Sequence, residues 1–220
     1  MRARGGACPY CGHALVGGSR WLRNLARIPG VVTWTVLGVF GLLYAIECGL
    51  QYHLFGTFAP SGGGALPGIA GISGVTIRLM GSNDHAMVLQ HGQWWRLVTA
   101  AYLHLGVIHI AFNGMVLHSL GIAAESFWGK ARYWSAFALA GAGSNLISLA
   151  YYGLVRGVPV NAAGGSGAIF GILGMLLAYA YRHPHRMDES VRQRLKHWAL
   201  FALLFGLFVG ADNAAHIGGL

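Results

Sequence analysis

The charged residues of this sequence sit almost entirely in the gaps between long apolar runs, and no other feature constrains the fold as tightly. Residues 31–50, VVTWTVLGVFGLLYAIECGL, hold a single carboxylate, Glu47. Further apolar runs follow at residues 97–121, 131–153, 164–181 and 198–210. A membrane-crossing helix needs about 20 apolar residues, and these runs meet or approach that length. Charged residues make up 10% of the chain, against roughly a quarter in a soluble domain. The expected class is therefore an all-α, polytopic membrane protein. A last apolar stretch opens at Ala211 and the chain stops at Leu220, so a sixth span is expected to be truncated here.

The net charge is +9, which by itself would fit a nucleic-acid partner. The distribution excludes that class, because the basic residues occupy the gaps and no stacking or phosphate-binding pattern accompanies them. They do report orientation, since Lys and Arg gather on the cytoplasmic side. With the amino terminus in the cytoplasm, twelve of the fifteen basic residues fall on that side. The other three are Arg78, Arg96 and Arg156. The expected location is a bacterial-type inner or plasma membrane, in contact with the lipid bilayer. On this count the start of the fourth run lies towards the non-cytoplasmic side.

Residues 1–30 read as a basic cytoplasmic segment without the apolar stretch of a signal peptide. Cys8 and Cys11, with His13 nearby, have the spacing of half a zinc knuckle. A second Cys-x-x-Cys is missing, so the favoured reading is no metal. Cys48 reads as a small core residue, and Glu47 as a carboxylate snorkelling to the interface. Residues 51–96 are too long for a simple connection and suggest a structured element. Within them Trp94 and Trp95 suit a membrane interface.

Gly164-Gly165-Ser166-Gly167 opens the fourth run. Flanking glycines leave a hydroxyl uncovered and let other backbone approach. A serine hydroxyl is a poor nucleophile until a base takes its proton. His216 is the candidate base, because it lies among small residues that permit close helix contact, as do Gly167, Gly171 and Gly174. His109 and Asn113, four apart on one helix face, are candidate donors to an oxyanion. His104 and His118 lie nearer the ends of that run, where interfacial or core hydrogen bonding suffices. Asp212, one turn before His216, is either its orienting acid or a helix cap. The economical reading is a Ser-His dyad.

These residues resemble the rhomboid family of intramembrane serine proteases over about residues 31–220. Gly164–Gly167 is similar to its Gly-x-Ser-Gly motif, and His109 to Asn113 to its His-x-x-x-Asn motif. Ala215-His216 with Gly218 and Gly219 is similar to its base-bearing span, and Trp95-Arg96 to a pair in its first loop. The resemblance implies a six-transmembrane-helix rhomboid-like bundle, with residues 1–30 outside it. It implies Ser166 as nucleophile and His216 as general base. The oxyanion would rest on His109, Asn113 and the Ser166 backbone N–H, and Phe170 would pack on the base. The implied partners are transmembrane protein substrates, with no cofactor and no nucleic acid. Taken singly, each residue has a plain packing explanation; the combination favours a protease over a catalytically silent relative that binds transmembrane clients. A proton-coupled transporter is disfavoured by the lack of an evident inverted repeat.

Overall fold

The computed structural model describes residues 28–59 and 70–220. Cys8, Cys11 and His13, and the Ser61–Gly64 stretch, lie outside the described residues. Helix α1 is Val31–Phe55. Three short helices follow: α2 Gly74–Met80, α3 His85–Leu89 and α4 Arg96–Thr99. A 3-10 turn, Ala100–Tyr102, extends α4. Then come α5 Val107–Trp128, α6 Lys130–Ala150 with a π turn over Tyr151–Val155, and α7 Ser166–Arg182. The last two helices are α8 Glu189–Val209 and α9 Asn213–Gly219.

Among the described residues, three helices are long and apolar enough to cross a membrane: α1, α5, and α6 with its π turn. Helix α7 is apolar but shorter. Helix α8 carries Arg192, Arg194 and Lys196 near its start. Nine of the seventeen residues of α7 are buried, which makes it the centre of the bundle. Ala168 and Ile172 of α7 are fully enclosed, with Phe40, Leu117 and Phe137 packed in the same core. Leu42 and Ile46 of α1, Leu139 of α6 and Leu204 of α8 face outward. In water such a surface would be a liability; in a bilayer it is matched to its solvent.

The second apolar run does not form one helix over residues 97–121. Its first part is α4, the 3-10 turn and an extended link, and α5 starts only at Val107. Leu103 is extended, with φ −92° and ψ 154°. The amides that follow bond to side chains rather than to carbonyls four residues back. Apolar content is the same in both conformations, so hydropathy could not separate them.

Glu47 does not snorkel. It is fully buried, and both its carboxylate oxygens accept the His104 amide, at 3.2 and 3.3 Å. A second buried carboxylate, Glu125 of α5, caps α1 from outside. The residue before α1 is Gly30, which offers no side-chain cap. Glu125 instead accepts the amides of Val32 and Thr33 and the Thr33 hydroxyl, at 3.0–3.2 Å. A negative charge there also opposes the positive end of the helix dipole.

The loop between α1 and α5 is tied to the segment that leads into α7. Asn83–Asp84 (β1) and Asn161–Ala162 (β2) form a two-residue antiparallel ladder. Asn161 also donates to the Gly74 carbonyl at 2.9 Å. Arg96 donates to the carbonyls of Arg78 and Ser82, at 2.7 and 3.2 Å, closing the loop on itself. Trp94 and Trp95 are both about half exposed on its outer face.

Candidate active site

Ser166 is the first residue of α7, so its amide has no intrahelical acceptor. The approach to it demands glycine. Gly164 has φ 151°, and a Cβ there would lie 2.8 Å from His109 Cε1 and 2.9 Å from Nε2. The same point is 3.7 Å from Ser166 Oγ, so His109 and Ser166 flank Gly164. At Gly165 a Cβ would strike the Phe40 ring. Along α7, Cβ atoms at Gly167 and Gly171 would collide with Ser144 and Ala140 of α6. On the other side, a Cβ at Gly219 of α9 would collide with the Gly167 carbonyl. Bare backbone on both helices lets α9 sit against α7.

That close approach brings His216 to the serine. His216 Nε2 lies 2.8 Å from Ser166 Oγ. Its ring stacks on Phe170, with centroids 4.5 Å apart and planes 17° from parallel. The other ring nitrogen, Nδ1, is 2.9 Å from Asn213 Oδ1. Asn213 in turn donates its Nδ2 to the Leu203 carbonyl at 3.1 Å. That bond decides which end of the amide faces the histidine. Oδ1 can only accept, so His216 carries its proton on Nδ1 and presents a bare Nε2 to the Ser166 hydroxyl.

A parallel argument assigns His109. Its Nδ1 accepts the Leu105 amide at 3.4 Å, so the proton sits on Nε2, the nitrogen beside Gly164. Asn113 is buried one turn further along α5, and its Nδ2 has no acceptor among the described residues. Among the described residues, then, Asn113 Nδ2 is an unspent donor of α5, His109 Nε2 faces Gly164, and the Ser166 amide lies at the start of α7. A buried donor without a partner calls for an explanation.

Two residues take roles that the sequence left open or hid. Asp212 is a cap: it accepts the Ala215 amide at 2.9 Å and the Ser148 hydroxyl of α6, not the His216 ring. Asn213 is the residue that holds the His216 ring, and sequence reasoning passed over it. The available signal was its position three before His216, on the same helical face. His104 is enclosed rather than interfacial, and neither ring nitrogen has a hydrogen-bond partner among the described residues; its ring lies 5.2 Å from that of His109. His118 lies on the outside of α5 against Trp34, away from the serine. Among the described residues no group of three or more His, Cys, Asp or Glu could hold a metal ion.

Comparison with known proteins identifies the family. The Rhomboid domain model matches residues 91–220. The chain is 35% identical to rhomboid protease GluP of Bacillus subtilis, over 66% of this chain and 27% of that protein. It is 33% identical to rhomboid protease AarA of Providencia stuartii, over 64% of this chain and 57% of that protein. RHOMBOID-like protein 6 (mitochondrial) of Arabidopsis thaliana is 32% identical, over 68% and 48%. The chain thus spans between about a quarter and somewhat over half the length of these relatives. With the matched domain covering more than half of its residues, this chain belongs to the rhomboid family of integral membrane proteins.

Proposed function

We propose that this protein is an intramembrane serine endopeptidase that cleaves transmembrane segments of other membrane proteins by a Ser166–His216 dyad. The observation that carries the reading is the 2.8 Å contact between His216 Nε2 and Ser166 Oγ, with the histidine tautomer set for base catalysis. Two relatives that carry the word protease in their names support it.

In this reading His216 Nε2 takes the hydroxyl proton as Ser166 Oγ attacks the scissile carbonyl. The imidazolium that forms keeps its Nδ1–H on Asn213 Oδ1 and its face on Phe170. The tetrahedral oxyanion is held by the amide of Ser166, His109 Nε2–H and Asn113 Nδ2. His216 then protonates the leaving amine, and an acyl-enzyme remains. Water reaches the ester, His216 takes its proton, and collapse of the second intermediate restores Ser166. A substrate helix hides its carbonyls in its own hydrogen bonds, so the cut segment must unwind locally. Residues 31–220 form the protease domain, the amino terminus is cytoplasmic, and Ser166 opens to the opposite side.

The test is cleavage of a transmembrane substrate by the full chain in liposomes. Ser166→Ala and His216→Ala each abolish product, and a fluorophosphonate probe labels wild type but not Ser166→Ala. Product from Ser166→Ala would end the dyad reading. Substrate binding without cleavage by wild type would favour a catalytically silent client-binding protein.

A further inference from the structure

The geometry points to Glu47 as a positioning residue for His109, acting through the extended link Leu103–Gly106; this rests on the reading of His109 as an oxyanion donor. Glu47 lies on the inner face of α1 with Val36, Phe40 and Gln51, and it is fully buried. Among the described residues no Lys, Arg or His pairs with it. A carboxylate at such depth is costly, and an apolar side chain would fill the same space. What only an acceptor can do there is hold an amide.

The amide it holds is one that the fold orphans. The Leu103 amide closes the 3-10 turn on the Ala100 carbonyl, but those of His104 and Leu105 have no carbonyl four residues back and need other partners. The His104 amide goes to Glu47. The next amide, Leu105, goes to His109 Nδ1. The Leu105 carbonyl is fixed from the other side by the Ile72 amide at 3.0 Å. Glu47 and His109 thus grip adjacent amides of one short link. The His104 ring fills the space between, 4.5 Å from Phe40 and 5.2 Å from His109.

Without the carboxylate, the His104 amide is left unpaired in an enclosed interior, and the link shifts to find an acceptor. The Leu105 amide then leaves His109 Nδ1, and nothing keeps the His109 proton on Nε2. The oxyanion loses a donor although no residue touching substrate has changed. Gln51, one turn further along α1, does similar work for the loop: its Oε1 accepts the Ser73 amide and the Thr76 hydroxyl, at 3.0 and 2.7 Å. Glu47 differs in that its amide adjoins the one on His109.

The experiment compares Glu47→Gln, which keeps one acceptor oxygen, with Glu47→Leu, which keeps the bulk and loses the acceptor. Both are made in the full chain in nanodiscs. Steady-state cleavage of a transmembrane substrate is measured alongside the ring 15N shifts of His109. Glu47→Gln stays within about threefold of wild type, and Glu47→Leu loses about tenfold or more in kcat with KM unchanged. His109 shows one tautomer in wild type and Glu47→Gln, and a mixture in Glu47→Leu. The proposal is overturned if Glu47→Leu keeps wild-type kcat. It is equally overturned if activity falls only in step with thermal stability while the His109 tautomer is unchanged. If wild type itself does not cleave, the protease reading fails, and the tautomer comparison still decides the role of Glu47.

Discussion

Replacing Asn213 by alanine tests the least expected part of the site. The substitution removes the acceptor on His216 Nδ1, 2.9 Å away, and leaves the Ser166 contact untouched. While His216 is neutral the lost bond joins neutral groups and is worth about 1 kcal/mol. When His216 becomes an imidazolium, the same bond is charge-assisted and about twice as strong. The difference, about 1 kcal/mol, stabilises the transition state over the ground state and corresponds to somewhat under tenfold in rate. A freed ring also populates both tautomers, and the one with its proton on Nε2 cannot act as base, which costs about another factor of two. Asn213→Ala should therefore lower kcat about tenfold, with KM within about twofold. The assay is single-turnover cleavage of a transmembrane substrate in liposomes at saturating substrate. Loss of the bond to the Leu203 carbonyl also costs stability, so melting is measured in parallel. A variant with wild-type kcat, or one that changes KM alone, would refute the account of how the base is held.

Other sites yield separate expectations. His109→Ala and Asn113→Ala each lower kcat about a hundredfold with little change in KM, and the double variant falls short of the product because both donors serve one oxyanion. Gly219→Ala drives a methyl group into the Gly167 carbonyl, which cannot move aside; fluorophosphonate labelling of Ser166 should fall at least tenfold, and undiminished labelling would deny the close packing of α9 on α7. Glu125→Leu strips the acceptor from the Val32 and Thr33 amides and the Thr33 hydroxyl. Thermal or SDS titration should show a loss of about 2–4 kcal/mol, with Glu125→Gln intermediate.

Much of this arrangement is local and therefore legible in the sequence. Whether Val31–Leu50 or the run after Lys130 leaves water depends on summed transfer energies, which do not require knowing the neighbours. The His109–Asn113 pairing follows from 3.6 residues per turn, and the bareness of Gly164–Gly167 from the absence of side chains. The limits of α5 were not legible, because Leu97–Gly106 is as apolar as a helix would be. The amides freed by the helix break there find acceptors that no local pattern announces: Glu47 for one, His109 for the next. The same holds for Asp212, whose composition suits a cap or an acid equally. Its role is settled by where Ser148 and the Ala215 amide lie.

The sequence by itself determined which segments are apolar enough for a membrane and which side chains are chemically fit to attack, accept a proton or donate to an oxyanion. Only the tertiary structure decided how those side chains are oriented. That Asn213 turns its oxygen to His216 depends on the Leu203 carbonyl of another helix. That Glu47 and Glu125 are buried depends on amides left unpaired at a helix break and a helix start. Propensity and hydropathy add up residue by residue along the chain. A hydrogen bond between residues nearly a hundred positions apart exists only once the helices have met.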